Sequence, residues 1–306
     1  MTAGIRPGAP RPPVPDGPVA IVGAGTMGAG LAQIAASAGR RVVLHSRTGT
    51  RLDQARTGIE DSLRRLARRA AADGTKAPDP AVVLGRIHTT TRLEDCAGAA
   101  VVIESIAEDR TAKQELFARL DRLCADAAFL ASNTSGIPIG DIAAATARPE
   151  RVVGTHFFSP VPVMRLCEIV RGPRTGDDTV AAARTFAAEI GKESVLVERD
   201  TPGFITTRLL TVLILEAVRM VEEGTCTAAD LDRACRLGFG HPMGPLASVD
   251  LSGLDVFQDV AAALHRATAN PVFRAPALLA ELVAAGHHGR KTGRGFHDYT
   301  ATTGAP

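Results

Sequence analysis

Two residues of this 306-residue chain, His156 and Glu168, have the types and spacing of an acid–base pair. The apolar residues of 152–158 predict one strand, the Ser-Pro-Val-Pro of 159–162 a turn, and residues 164–170 a returning strand. A return of that length brings His156 to the end of one strand and Glu168 onto its neighbour, within reach of each other. A carboxylate on one ring nitrogen fixes the tautomer, leaves the other nitrogen to take a proton, and stabilises the imidazolium that results. An alcohol dehydrogenase needs a base of this kind. The alternative is a strand-end histidine and an unrelated exposed glutamate, and the surrounding elements must decide between the two.

The first of those elements is a glycine turn. Val-Ala-Ile-Val at 19–22 predicts a short strand, Gly-Ala-Gly-Thr-Met-Gly-Ala-Gly follows at 23–30, and a helical pattern continues through Leu31, Ile34 and Ala38. Gly23 permits the tight turn, Gly25 lets a pyrophosphate approach the backbone, and Gly28 lets helix pack on strand. Gly23, Ala24, Gly25, Thr26, Met27 and Gly28 are therefore the candidate phosphate loop, opening a helix N-terminus. A second strand at 41–44 should end at an acid for the adenosine ribose, but Ser46 and Arg47 stand there. A hydroxyl and a guanidinium accommodate a 2′-phosphate, which favours NADP over NAD. The alternative is a solvated Arg47 and NAD held by weaker ribose contacts.

A long helix is expected over 51–73, with Arg64, Arg65, Arg68 and Arg69 on its polar face, before a Gly/Pro-rich break at 74–80. The basic face is either simply solvated or meets the phosphates of a large thioester carrier, with Ser62 and Arg69 as first contacts. Strands follow at 87–89 and 100–104, then a helix over 111–123 packing Leu116, Leu120 and Leu123, and a strand from Phe129 into a polar loop at Ser135. After Asp200 the alternation stops. Residues 201–203 are expected to cap a helix with apolar positions 210, 213, 214, 217 and 221, and further helices follow between Gly/Pro turns such as 241–245. The fold class is α/β: a doubly wound, Rossmann-type domain over 19–200, with a helical insertion at about 51–80 and a final hairpin, then an all-helical domain over 201–306.

Composition narrows the partners. A net charge of +2 offers no electrostatic footprint for nucleic acid or membrane, and no apolar run reaches the ~20 residues of a membrane helix. Residues 1–18 contain six prolines and no apolar segment, which predicts a disordered tail and not a signal peptide. The five cysteines have no zinc-type or redox-type spacing. They are expected to be reduced, with Cys124 and Cys167 in the core, and the protein cytoplasmic without a metal.

The order of motifs resembles the L-3-hydroxyacyl-CoA dehydrogenase family. The matching pieces are the glycine run at 23–30, Ser-Asn-Thr-Ser at 132–135, His-Phe-Phe-x-Pro-Val-Pro-Val-Met-x-Leu-x-Glu at 156–168, Asp-Thr-Pro-Gly-Phe-Ile at 200–205, Pro-Met-Gly-Pro at 242–245, Gly-Leu-Asp at 253–255 and Gly-Arg-Lys-Thr-Gly-x-Gly-Phe at 289–296. They run in family order over nearly all of 19–299. The resemblance implies His156 as general base for a 3-hydroxyl, Glu168 orienting it, and Ser135 donating to the reacting oxygen. It implies cofactor contacts at Glu108, Lys113 and Lys291, and coenzyme A contacts at Ser62 and Arg69. It also implies a homodimer built through the helical domain. For Ser135 the bland alternative is a buried hydroxyl, and for Glu108, Lys113 and Lys291 solvated charges.

Two positions depart from the family pattern. Ser159 stands where the family has the asparagine of His-Phe-Phe-Asn-Pro, by the cofactor, and Thr207 where it has an asparagine near the substrate. A hydroxyl is shorter than an amide and offers a different set of donors and acceptors. With the missing ribose acid, that leaves several readings open: the family reaction on an acyl-CoA, the same chemistry on an acyl-carrier-protein thioester or a free hydroxy acid, or a catalytically silent nucleotide-binding protein. The Ser46–Arg47 argument predicts that NADPH raises the thermal unfolding temperature more than NADH at equal concentration. Equal protection by the two would refute it.

Overall fold

The structure, a computed structural model, describes residues 14–300. Most of the expected Pro-rich tail, residues 1–13, lies outside the described residues. At its end Val14 is buried, and Pro18 O accepts a hydrogen bond from Ala100 N at 2.9 Å. The chain divides into two compact units between Thr201 and Pro202.

The first unit is built on one eight-stranded sheet. Its strands are β1 (Val19–Val22), β2 (Val42–His45), β3 (Ile87–Thr90), β4 (Val101–Glu104), β5 (Phe129–Ser132), β6 (Val152–Phe157), β7 (Leu166–Val170) and β8 (Glu193–Val197), in spatial order β3-β2-β1-β4-β5-β6-β7-β8. Every pairing is parallel except β6 with β7. The helices are α1 (Thr26–Ser37), α2 (Gly49–Ala72), α3 (Pro80–Gly85), α4 (Arg110–Leu123), α5 (Ile139–Ala143) and α6 (Asp177–Glu189). The central strands are short, mostly apolar and buried at every residue, as sheets covered on both faces require. The chain winds outward from β1 to β3 and then returns to β4, so the crevice beyond the ends of β1 and β4 is the topological switch point where this architecture takes ligands.

Three local expectations are corrected. The hairpin of β6 and β7 is not the end of the sheet as expected: the apolar Val195, Leu196 and Val197 form β8, which pairs in parallel with β7 and closes the sheet as its edge. On α4 the buried residues are Lys113, Phe117, Leu120 and Asp121, with Leu116 and Leu123 only partly buried. Phe117 is the larger apolar side chain and turns the helix toward itself, carrying Lys113 inward one turn earlier. In the second unit the segment before α7 (Thr206–Glu222) is an irregular turn with Gly203 and Phe204 at positive φ, and the N-cap is Ile205, without a side-chain cap. The packed face of α7 includes Thr211, Ile214, Leu215 and Val218, whereas Leu209 and Leu210 are exposed.

The second unit continues with α8 (Ala228–Phe239), α9 (Pro245–Ser252), α10 (Leu254–Thr268) and α11 (Ala277–Ala284) around a core that includes Leu215, Leu246, Leu254 and Leu279. Two buried carboxylates tie its loops: Asp232 accepts from the N–H groups of Leu246 and Ala247, and Asp250 from those of Phe296 and His297. No described helix is long and apolar enough to cross a membrane.

Candidate active site

His156 and Glu168 stand directly opposite each other in the antiparallel β6–β7 pair. Opposed residues put their side chains on the same face of the sheet. His156 Nδ1 lies 2.6 Å from Glu168 Oε2; the histidine is 7% exposed and the glutamate fully buried. The Phe158 ring sits against the imidazole, with centroids 4.5 Å apart. Sequence expectation and structure agree on this juxtaposition.

At the switch point the glycine turn is held by geometry that excludes side chains. A Cβ on Gly28 would lie 1.8 Å from Gly23 O, and one on Gly23 would lie 2.3 Å from Ser105 O, just past β4. Gly23 N donates to His45 O at the end of β2, which fixes the turn beside Ser46 and Arg47. A Cβ on Gly25, by contrast, would meet no atom within 4 Å, and Gly25 is the N-cap of α1 without a side-chain cap. Open space over an uncapped helix start fits an approaching pyrophosphate. Ser46 is half-buried and Arg47 exposed.

The loop after β5 is joined to β4 and β6 by a polar network. Asn133 Oδ1 accepts from Phe157 N at 2.9 Å, tying the loop to the residue after His156. Glu108 accepts from Thr134 Oγ1 at 2.5 Å and from Ser135 N at 3.1 Å, so the half-buried Ser135 sits in a loop gripped by Glu108. Lys113, for which the resemblance implies a cofactor contact and the alternative was a solvated charge, is 1% exposed, which excludes the solvated charge. Its Nζ lies 2.5 Å from Glu104 Oε1 and 3.4 Å from Glu108 Oε2. Glu104, at the end of β4, is fully buried and also accepts from Ser132 Oγ at 2.6 Å and Ile106 N at 2.7 Å. The sequence contained a signal for it: an acid closing an otherwise apolar strand has to find a cation or several donors.

A cavity of about 380 Å³ opens between α1, α2 and the turn that joins β6 to β7. Gly25, Thr26 and Gly30 line it from α1, Arg51, Ser62 and Arg65 from α2, and Pro160, Val161 and Pro162 from the turn. Of the two residues for which a coenzyme A contact was expected, Ser62 lines this cavity. Arg69 does not: its guanidinium faces Asp73, and Arg65, one helical turn nearer the N-terminus, takes the lining position. Ser159 is exposed at the start of the turn. Thr207 and Lys291 belong to the second unit. Thr207 lies in the first turn of α7, and Lys291 Nζ contacts both carboxylate oxygens of Asp255 at 2.6 Å.

A glycine cradle at the switch point and a buried histidine–carboxylate pair on the same sheet define a dinucleotide-dependent oxidoreductase. More narrowly, the chain belongs to the 3-hydroxyacyl-CoA dehydrogenase family, whose NAD binding domain matches residues 18–201 and whose C-terminal domain matches residues 203–299. It is similar to the probable 3-hydroxybutyryl-CoA dehydrogenase of Bacillus subtilis, with 41% identity over 93% of this chain and 98% of that protein. The human mitochondrial hydroxyacyl-coenzyme A dehydrogenase is also 41% identical, over 92% of this chain and 90% of its own. Among solved structures, (S)-3-hydroxybutyryl-CoA dehydrogenase PaaH1 from Ralstonia eutropha superposes with a TM-score of 0.87 at 38% identity, covering 92% of this chain and 99% of that one.

The buried network yields a stability test. Glu104→Gln takes the nearest carboxylate from a buried ammonium and should lower the unfolding free energy in urea by roughly 2–4 kcal/mol. Glu108→Gln, at a carboxylate that is 44% exposed, should cost less than about 1 kcal/mol. Equal losses would contradict this division of the network.

Proposed function

We propose that the chain interconverts a 3-hydroxyacyl-CoA and a 3-oxoacyl-CoA, with His156 as general acid–base, Glu168 as its orienting partner and Ser135 as a donor to the reacting oxygen. The observation that carries this reading is the 2.6 Å contact between His156 Nδ1 and a fully buried Glu168. With Nδ1 engaged, Nε2 is the ring atom that exchanges a proton with the 3-hydroxyl, and the carboxylate offsets the charge of the imidazolium. A bound nicotinamide dinucleotide supplies the hydride acceptor or donor at C4. The glycine turn and the start of α1 hold its phosphates, and Ser46 with Arg47 favours NADPH over NADH. Glu108 supports Ser135 through the backbone of its loop.

The thioester carrier is assigned to the cavity beside α2, where Ser62, Arg51 and Arg65 offer a hydroxyl and two guanidinium groups to nucleotide phosphates. Arg64 is tied to Glu60 and Asp61, and Arg69 to Asp73, so much of the basic face is balanced within the helix. That favours coenzyme A in the cavity over the acidic surface of a carrier protein lying along the helix. The names of the similar bacterial enzymes make 3-hydroxybutyryl-CoA the first substrate to try. All five cysteines are free, which fits a reducing compartment such as the cytosol.

The same reading includes a homodimer through the second unit, where Leu209, Leu237 and Phe239 are 66%, 76% and 69% exposed. Light scattering should give twice the chain mass, and a monomer at micromolar concentration would rule the dimer out. For the chemistry, His156→Gln should reduce kcat by at least ~10²-fold with cofactor affinity retained. Glu168→Gln should lose a large part of the rate with the fold intact, measured as reduction of 3-oxobutyryl-CoA. Near-normal turnover of His156→Gln would sink the assignment of the base.

A further inference from the structure

The turn between β6 and β7 joins the strand of His156 to the strand of Glu168, begins at Ser159 and forms one wall of the cavity. Two features hold its shape from opposite sides. On one, Gly30 of α1 packs so closely that a Cβ there would lie 2.7 Å from Val161 Cβ. On the other, Lys192, between α6 and β8, donates from Nζ to Val161 O at 2.5 Å and to Met164 O at 2.7 Å. Val161 is 2% exposed and Lys192 7%. Withdrawing an ammonium from water is costly, and two carbonyl dipoles offset only part of that cost. A methionine would fill the space without the penalty. The charge therefore serves the carbonyls it bonds, one on Val161 of the cavity wall and one on Met164 further along the same turn.

We propose that Lys192 is a positioning residue for the dehydrogenase reaction: its ammonium locks the 159–165 turn in the shape that lets the cavity receive the thioester carrier and deliver the acyl group to His156. The assignment rests on the function proposed above. Lys192 touches neither the cavity nor the dyad and acts through Val161, Pro162 and Ser159.

Burial lowers the Lys192 pKa from its ordinary value, opposed in part by Cys167 on β7, whose thiol burial pushes far up. The other charged neighbours in sequence, Arg165 on the turn and Glu193 on β8, are paired with each other. Loss of the Lys192 proton weakens both hydrogen bonds. The turn should therefore loosen as pH rises, before an ordinary lysine would titrate.

The test measures KM and kcat of the full chain for 3-oxobutyryl-CoA from about pH 7 to about pH 10, in the wild type, Lys192→Met and Lys192→Arg, with folding followed by circular dichroism. Wild-type KM should rise on the alkaline side. Lys192→Met should show a KM about tenfold higher at neutral pH, with no further alkaline rise and kcat changed less than KM. Lys192→Arg, whose guanidinium stays charged, should keep the low KM and lose the alkaline rise. Wild-type KM in a folded Lys192→Met, or the same alkaline rise in Lys192→Arg as in the wild type, overturns the assignment. If Lys192→Met does not fold, the wild type and Lys192→Arg decide. A folded wild type that turns over no 3-oxoacyl thioester overturns the dehydrogenase reading itself.

Discussion

The site depends on strand register. His156 and Glu168 meet because they are opposed across the one antiparallel pairing in the sheet. A slip of one residue would send the two side chains to opposite faces and abolish the contact. Register of that kind has to be enforced from both ends. Burial of β6 and of Cys167, Ile169 and Val170 on β7 sets the faces, while the connecting turn, wedged between Gly30 and Lys192, sets the offset. Asn133 adds a third restraint by taking the N–H of Phe157.

Much of this was legible in the sequence because it depends on local pattern. The glycine turn can be read since only glycine tolerates contacts such as the 1.8 Å approach at Gly28, and the dyad since a turn between two short strands constrains which residues meet. The parallel sheet followed from strand and helix alternating at regular intervals. What was not legible depended on competition between faces. Phe117 outweighed Leu116 and Leu123 of α4, and Lys113 was carried into the interior with it. On α7, apolar residues occur all round the helix, and packing alone selected the face of Ile214, Leu215 and Val218. On α2, Arg65 and Arg69 share a helical face, and only the position of the turn showed which one reaches the cavity.

The charges of the first unit serve two different ends. Glu104, Lys113 and Glu108 form a chain that runs from the buried end of β4 to the loop of Ser135, with its acidic ends progressively closer to solvent. Such a chain makes the placement of a half-buried serine depend on the interior of the sheet. Lys192 anchors the 159–165 turn with no carboxylate, using carbonyl groups. His156 thus has next to it two segments that are each anchored by a buried cation.

The edge formed by β8 has a further consequence. A sheet with an open edge offers a row of unpaired backbone groups to any other chain in extended conformation. Here that edge is only five residues long, with Glu193 at its start and Glu198 just past its end, and of its valines only Val195 is substantially exposed. A foreign strand would have to bring its own backbone between two carboxylates to find a short run of partners. The strand that completes the sheet is thereby also its guard against aggregation in a crowded solution.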